Sequence, residues 1–405
     1  MTLQLRRLAA LFKETSMNSH RLGIALALVV GLCGTAAVAE DGVSDGDIVF
    51  GQVAALTGPA QDLGQGMRQG ILAAFDDANR HGGIAGRRLE LKSLDDGYEP
   101  DRTVAATKQI IDQDRVFAMI GAVGTPTSKA SQPIATDAKV PFIGPFTGAE
   151  FLRNPYNRYV VNVRASYFQE TEAWIEHLTN DLGISKIAIL YQDDAFGLAG
   201  LEGVQRAMAK RNMTLVASGS FKRNTTAVKS ALLDIMKGNP EAVVTVAPYK
   251  PVAEFIKLAH QVGMKSVFVA ISFVGSDSLA QELGHDGAGV IVSQVVPFPW
   301  DKSLPVVASY QSALVAEDAG ANPGFVSLEG YLVGRLAVEA LKRVNGEPTR
   351  EKLIDAVYAA PFDLGGDVLS YGPNKNQGSD QVFFTILQAD GSFKPVVHLV
   401  RMAGQ

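Results

Sequence analysis

Five short segments carry the residue types that could bind or transform a small molecule, and each directly follows an apolar, strand-like run. Residues 121–130 (GAVGTPTSKA) place Thr125 as an N-cap and Pro126 at the first helical position. The free backbone N–H groups of such a helix start, with a hydroxyl beside them, suit a carboxylate or phosphate, although a cap with no ligand has the same pattern. Residues 144–148 (GPFTG) offer Thr147, Gly148 and the backbone around Phe146 after the next strand. Two neighbouring strand ends with exposed donors mark a topological switch point, where α/β sheets bind ligands. Residues 191–197 (YQDDAFG), Pro248-Tyr249 and Ser272-Phe273 occupy matching positions further along the chain. Phe196, Tyr249 and Phe273 there could supply aromatic walls. Asp193 and Asp194 could meet a cation, or simply start a helix as solvated acids.

Other chemistries lack their residues. Gly64-Gln65-Gly66 with Gly70 mimics a dinucleotide fingerprint, and Asp95-Asp96 end the second strand where a ribose-binding acid would stand. The spacing is GxGxxxG, however, and residues 56–63 separate the glycines from the strand, so no cofactor is expected. The six histidines (His20, His81, His177, His260, His285 and His398) show no metal-ligand spacing. No GxSxG elbow, HExxH or Walker A loop is present, so an enzyme with a scattered triad is the least favoured reading. The sole cysteine, Cys33, rules out an internal disulfide, a CxxC zinc site and an iron–sulfur cluster. A formal charge of −5 argues against a nucleic-acid partner.

The N-terminus has the form of an export signal. Arg6, Arg7, Lys13 and Arg21 precede the apolar run 22–34 (LGIALALVVGLCG), which is too short to span a bilayer and leads to Ala37-Val38-Ala39. Residues 1–39 are therefore read as a signal peptide, with Met17 as an alternative start. That segment holds four of the 37 Lys and Arg and one of the 42 Asp and Glu, so the mature chain balances 33 against 41, a net −8, with no cysteine. A periplasmic location follows.

The elements that must position the ligand-facing segments alternate as strand and helix. Strands are predicted at 48–55, 89–94, 116–120, 140–143 and 159–163, then at 187–191, 215–221, 242–246, 267–271, 290–295 and 381–388. Helices are predicted at 66–80, 102–112 (Asp101 as N-cap), up to about 138, and near 168–182, 198–211, 226–237, 251–262, 277–283, 304–318, 325–344 and 350–359. Alternation of this kind gives parallel sheets covered by helices on both faces. The strands exceed one comfortable sheet, so the fold class is α/β with two doubly wound lobes. No Pro-, Gly- or Ser-rich linker separates them, which implies several short crossings and a hinge.

Residues 51–104 (GQVAALTGPAQDLGQGMRQGILAAFDDANRHGGIAGRRLELKSLDDGYEPDRTV), with the T-G-x-x-x-x-x-G loop, the helix ending in N-x-x-G-G-I-x-G and the strand ending in D-D, resemble the leucine/isoleucine/valine-type periplasmic binding proteins of ABC transporters. The resemblance extends through IGAVGTPTSKASQPIA, VPFIGPFTGAEFLR and ILYQDDAFGLAGLEGV and covers the mature chain. It implies two Rossmann-like lobes, three hinge crossings (near 163–165, 296–299 and 379–381) and one ligand in the cleft. Lobe one would comprise 46–163 plus 298–379, and lobe two 164–297 plus 380–400. By resemblance, Thr125 and the loop after Gly124 hold a ligand carboxylate, with Phe146, Thr147 and Gly148 adding groups. Leu63 covers the ligand, and Phe196 and Tyr249 face it from lobe two. Ser272 stands where branched-chain members carry the acid that pairs with an ammonium, so Asp193, Asp194 or Asp277 would have to substitute for α-amino recognition. Tyr98 and Gly124 replace a cysteine pair found in some members.

These features lean toward an aromatic or bulky apolar carboxylate, with a branched or aromatic amino acid as the other possibility. The implied partners are that ligand and an ABC permease, with the protein acting as a monomer without a cofactor. A sensory module presenting ligand to a receptor kinase would use the same lobes. Export itself is testable: N-terminal sequencing of periplasmic protein should begin at Glu40, and retention of the apolar run would contradict the signal-peptide reading.

Overall fold

The computed structural model describes residues 40–400; the segment read as a signal peptide lies outside them. Among the described residues no helix is long and apolar enough to cross a membrane. The first half of the chain runs β1 (Asp47–Ala54), α1 (Gln61–Arg80), β2 (Arg88–Asp95), α2 (Pro100–Lys108), β3 (Ala118–Ile120), α3 (Thr125–Asp137), β4 (Phe142–Ile143) and β5 (Val160–Val161). These strands form a five-stranded parallel sheet in the order β2-β1-β3-β4-β5.

The chain continues through α4 (Tyr167–Asn180), β6 (Ile187–Gln192), α5 (Ala195–Ala209), β7 (Ala217–Phe221), α6 (Lys229–Met236), β8 (Ala242–Val246), α7 (Tyr249–Gln261), β9 (Val267–Ala270), α8 (Ser276–Leu283) and β10 (Ile291–Gln294). Then come α9 (Pro305–Glu317), α10 (Phe325–Lys342), α11 (Arg350–Ala359), a small hairpin of β11 (Phe362–Asp363) and β12 (Val368–Leu369), β13 (Phe383–Leu387) and β14 (Phe393–Val396). The second sheet has the order β14-β13-β10-β9-β8-β6-β7, parallel except for β13 and β14 at one edge. The α/β class with two doubly wound halves is therefore present. The β11–β12 hairpin and β14 were not legible in the sequence. Both are short, and β14 is a half-exposed edge strand with a proline, so neither shows the buried apolar run used to find strands.

Several helix starts differ: α1 begins at Gln61 rather than 66, α5 at Ala195 rather than 198, and α6 at Lys229 rather than 226, and two expected caps do not cap. Asp101 lies in the first turn of α2, whose N-cap position is Glu99. Gly124, at φ +102°, takes the N-cap position of α3, so Thr125 is its first residue and does not cap it. Helix α2 also ends earlier than its apolar pattern and continues as a π-helical turn over Gln109–Gln113.

Helix α1 buries Leu63, Met67, Ile71, Ala74 and Phe75, the 3.6-residue stripe that docks it. Its other close neighbour is α10, which belongs to the far end of the sequence. A Cβ placed on Gly70 would stand 1.9 Å from the Ser327 carbonyl oxygen, and one on Gly330 would stand 2.4 Å from the Met67 carbonyl oxygen. The two backbones can approach this closely only because both positions lack a side chain. Gly70→Ala should therefore lower stability by about 3 kcal/mol in denaturant titrations, near the top of the usual overpacking range. Gly46→Ala, where a Cβ meets nothing within 4 Å, should stay within about 0.5 kcal/mol.

Candidate functional site

The parallel strands of both sheets present their C-terminal ends to a common region, and the loops leaving those ends bring the candidate residues together. Leu63, Thr125, Phe146, Thr147, Phe196, Tyr249 and Ser272 are all buried there, as is Gly148. The Asp-Asp end of β2 organises one wall. Asp95 accepts hydrogen bonds from the N–H groups of Leu56 (2.8 Å), Thr57 (3.1 Å) and Gly97 (3.0 Å) and from the Thr57 hydroxyl (2.6 Å), with Arg102 at 2.7 Å. Burial opposes ionisation of Asp95, but these bonds outweigh it and hold the carboxyl well below the usual range. Asp96 accepts the Tyr98 N–H (2.8 Å) and the Thr103 hydroxyl (2.8 Å), and burial pushes its carboxyl up to about 6. The acid pair is thus loop scaffolding rather than a ribose site.

Thr125 and Thr147 meet hydroxyl to hydroxyl at 2.7 Å. The Ser128 N–H makes the first bond of α3, to the Gly124 carbonyl (3.0 Å), so the N–H groups of Thr125 and Thr127 precede the intrahelical ladder. Phe146 departs from expectation. Its N–H donates to Ala122 (2.7 Å) and its carbonyl accepts from Gly124 (3.2 Å), so its backbone is used in continuing the sheet and its ring is what it contributes. Gly148 lets Tyr167 approach: a Cβ there would lie 2.6 Å from both the Tyr167 nitrogen and its ring.

The rings form one cluster. Phe273 lies 4.6 Å from Phe196, 5.1 Å from Phe146 and 6.1 Å from Tyr98, centroid to centroid, and Tyr167 lies 5.6 Å from Phe196. Leu63 and Tyr249 both pack where a side chain on Gly275, at φ +78°, would stand. Burial and the nearby Asp62 carboxylate push the Tyr249 hydroxyl well up.

The residue that sequence reasoning missed is Arg164, which follows β5 and is 1% exposed. Its Nη2 donates to Glu170 Oε1 at 3.0 Å and touches the Ser272 hydroxyl, while Nη1 lies 3.6 Å from Glu329 Oε1. The guanidinium sits over the rings of Phe146 (5.1 Å) and Tyr167 (5.7 Å). Its Nε and Nη1 have no hydrogen-bond acceptor. Burial works against its charge, but Glu329 and Glu170 outweigh that and raise its pKa. Glu170 is saturated by the Ser272 N–H (3.0 Å), the Ser272 hydroxyl (2.9 Å) and the Ser293 hydroxyl (2.6 Å). Ser272 therefore holds Glu170 and Arg164 in place. The legible local signal was the Ser166–Gln169 capping box that starts α4 beside Arg164.

Two of the three acids proposed to substitute at an ammonium are committed elsewhere. Asp194 caps α5 through the Phe196 N–H (2.9 Å) and pairs with Arg223 (3.1 Å). Asp277 accepts the Phe325 N–H (3.1 Å), and burial pushes it up to about 6. Asp193 is exposed. Across the cleft mouth, Glu99 receives Arg223 (2.7 Å) and the Asn224 amide (2.7 Å). Away from the site, two histidines that showed no metal spacing do converge: His177 (2.6 Å) and His398 (3.2 Å) both contact Asp181. Asp181 also accepts the Leu399 N–H (2.8 Å), so it ties the C-terminal segment to α4.

Comparison with known proteins agrees with this geometry. The family model described as periplasmic binding protein matches residues 47–392. A solved structure of a possible leucine/isoleucine/valine-binding protein from Rhodopirellula baltica is 38% identical and superimposes with a TM-score of 0.84, covering 89% of this chain and 98% of its own. Leu/Ile/Val-binding protein homolog 7 of Brucella abortus is 22% identical over 341 residues, 80% of this chain and 84% of that protein. The leucine-specific-binding protein of Salmonella typhimurium is 22% identical over 313 residues, covering 77% and 83%.

The Arg164 cluster also has a pH consequence. Burial raises the Glu329 carboxyl from 4.5 to about 7, against the pull of Arg164. Between those values the folded protein holds more protons than the unfolded chain, so this group's contribution to stability falls as pH rises through the window. Glu329→Gln should therefore gain stability relative to the parent between pH 5 and pH 8, measured by denaturant titration at each pH. A difference that does not vary with pH would show that Glu329 is ionised throughout.

Proposed function

Because the chain belongs to the periplasmic binding protein family, as a solute-binding protein of the leucine/isoleucine/valine type, we propose that it captures a small aromatic carboxylate between its lobes and delivers it to an ABC permease. The observation that carries this reading is Arg164: a buried guanidinium with Nε and Nη1 lacking acceptors, set over Phe146 and Tyr167. A buried donor without a partner is costly, and a ligand carboxylate would satisfy it. The Thr125–Thr147 hydroxyl pair and the free N–H groups of α3 add neutral donors to the same end. Phe196 and Phe273 offer flat apolar surface for the rest of the ligand. An α-ammonium has no such provision. Glu170 is spent on Arg164 and two serines, and Asp194 and Asp277 are engaged elsewhere. A desolvated cation without a counter-charge costs several kcal/mol.

Two lobes, 46–163 plus 298–379 and 164–297 plus 380–400, would close on the ligand about crossings near 163–165, 296–299 and 379–381. The two separate sheets support this division. So does the pairing of the first and third crossings, where Ser379 N–H donates to the Val163 carbonyl (3.0 Å) and Gly378 N–H to that of Asn162 (2.8 Å). Maturation at Glu40 and action as a periplasmic monomer complete the proposal.

Calorimetry on ligand-stripped protein with phenylacetate against phenylalanine tests the reading, and the acid should bind more tightly. A clear preference for the amino acid would overturn it. Thr125→Val keeps the shape and loses a donor, and should weaken carboxylate binding by about 1.5–3 kcal/mol.

A further inference from the structure

Tyr98 belongs to the ring cluster, and its hydroxyl reaches toward the second sheet. Its ring meets Phe273, which also packs on Phe196 and on Phe146, the ring under Arg164. Its backbone has φ +63°, which a bulky L-residue rarely adopts, and the Asp96 turn holds it there. The ring also presses on Gly124, where a Cβ would lie 2.2 Å from Tyr98 Cε2. Such a placement fixes the hydroxyl, and the group it meets comes from the other sheet.

That group is Gln192, the last residue of β6, which is fully buried. Its Nε2 donates to Asp194 Oδ2 (2.7 Å) and toward the Tyr98 hydroxyl oxygen (3.4 Å). The bond to a carboxylate orients the amide, because a carboxylate accepts and does not donate. Gln192 Oε1 is then a buried acceptor, and it has no donor. The Tyr98 oxygen takes the Gln192 N–H, so its own O–H remains to donate. Burial and the Asp194 carboxylate keep that hydroxyl protonated. Gln192 also borders a cavity of about 610 Å³, whose other walls include Pro59, Asn224 and Pro248.

We propose that Tyr98 and Gln192 form a subsite for a hydroxyl group carried on the ligand's ring, so that the solute is a hydroxylated aromatic acid. This rests on the reading of the ligand as an aromatic carboxylate. A hydroxyl both accepts and donates, and so complements a Tyr O–H beside an unpaired amide oxygen. A bare ring edge would leave Gln192 Oε1 unpaired, and a second carboxylate would face both that oxygen and Asp194. Sites built around a hydroxyl reject the analogue lacking it, because their own polar groups are then stranded.

The test is calorimetric titration of ligand-stripped mature protein with benzoate, phenylacetate and 3-phenylpropanoate, each with and without a para- or meta-hydroxyl. At least one hydroxylated acid should bind roughly tenfold or more tightly than its parent. Gln192→Leu and Tyr98→Phe should each bring that acid to its parent's affinity while leaving the parent within about threefold, since the donors at the carboxylate end are untouched. Equal affinity within every pair that binds the unaltered protein would overturn the hydroxyl subsite and leave the carboxylate reading standing. This comparison holds even if a variant fails to fold. Failure of all the acids to bind would overturn both.

Discussion

A guanidinium cannot be removed from water without compensation, and Arg164 is removed from water completely. Its compensation is drawn from four distant parts of the chain. Glu170 comes from α4, Ser272 from the loop after β9, Glu329 from α10, and the rings beneath it from the β4 loop and α4. Ser293 on β10 then fixes Glu170. The charge thus specifies how α10 and the second sheet meet at the crossing after β5. Nε and Nη1 have no hydrogen-bond acceptor, although Nη1 lies 3.6 Å from Glu329.

The fold supplies the surroundings of that charge by simple means. Parallel strands in both sheets end toward the cleft, so every strand-to-helix loop delivers its first residues there. The loops are kept short and stiff by local bonds rather than by bulk. Asp95 and Asp96 fold the segment after β2 so that Tyr98 projects inward, and Asp194 caps α5 while orienting Gln192. Small residues then set the distances, as where Gly124 admits Tyr98, Gly148 admits Tyr167 and Gly275 admits Leu63. Across the mouth, Glu99 with Arg223 and Asn224 joins the two rims.

How much of this was legible depends on the range over which each interaction is encoded. The strand and helix alternation is local, and the apolar stripe of α1 or the buried run of β8 needs nothing beyond its own residues. The strand-to-helix loops were legible for the same reason, since each follows a strand, and the structure buries Thr125, Thr147, Phe196 and Tyr249 on them. The starts of α2 and α3 were misread by one or two residues because Thr125 and Asp101 are good caps in isolation. At α3 the Gly124 backbone, bent to fit Tyr98, took the cap position and released the Thr125 hydroxyl to Thr147. The role of Arg164 was not legible, since the nearby capping box marks only the start of α4. Read locally it is one charged residue after a two-residue strand, and its meaning lies with partners 6, 108 and 165 positions away.

The same logic bears on ligand class. A serine in place of an acid at position 272 looks like a deletion of charge when read alone. In the fold, the acid is not missing but relocated: Glu170 occupies the space behind Ser272, bonded to its N–H and hydroxyl, and faces a cation instead of waiting for one. The cation beside Glu170 is thus internal: the buried Arg164, whose Nε and Nη1 have no hydrogen-bond acceptor. Under the proposed function, the α3 donors and the Arg164 guanidinium would both favour oxygen acceptors, and the phenylalanine rings a flat apolar body.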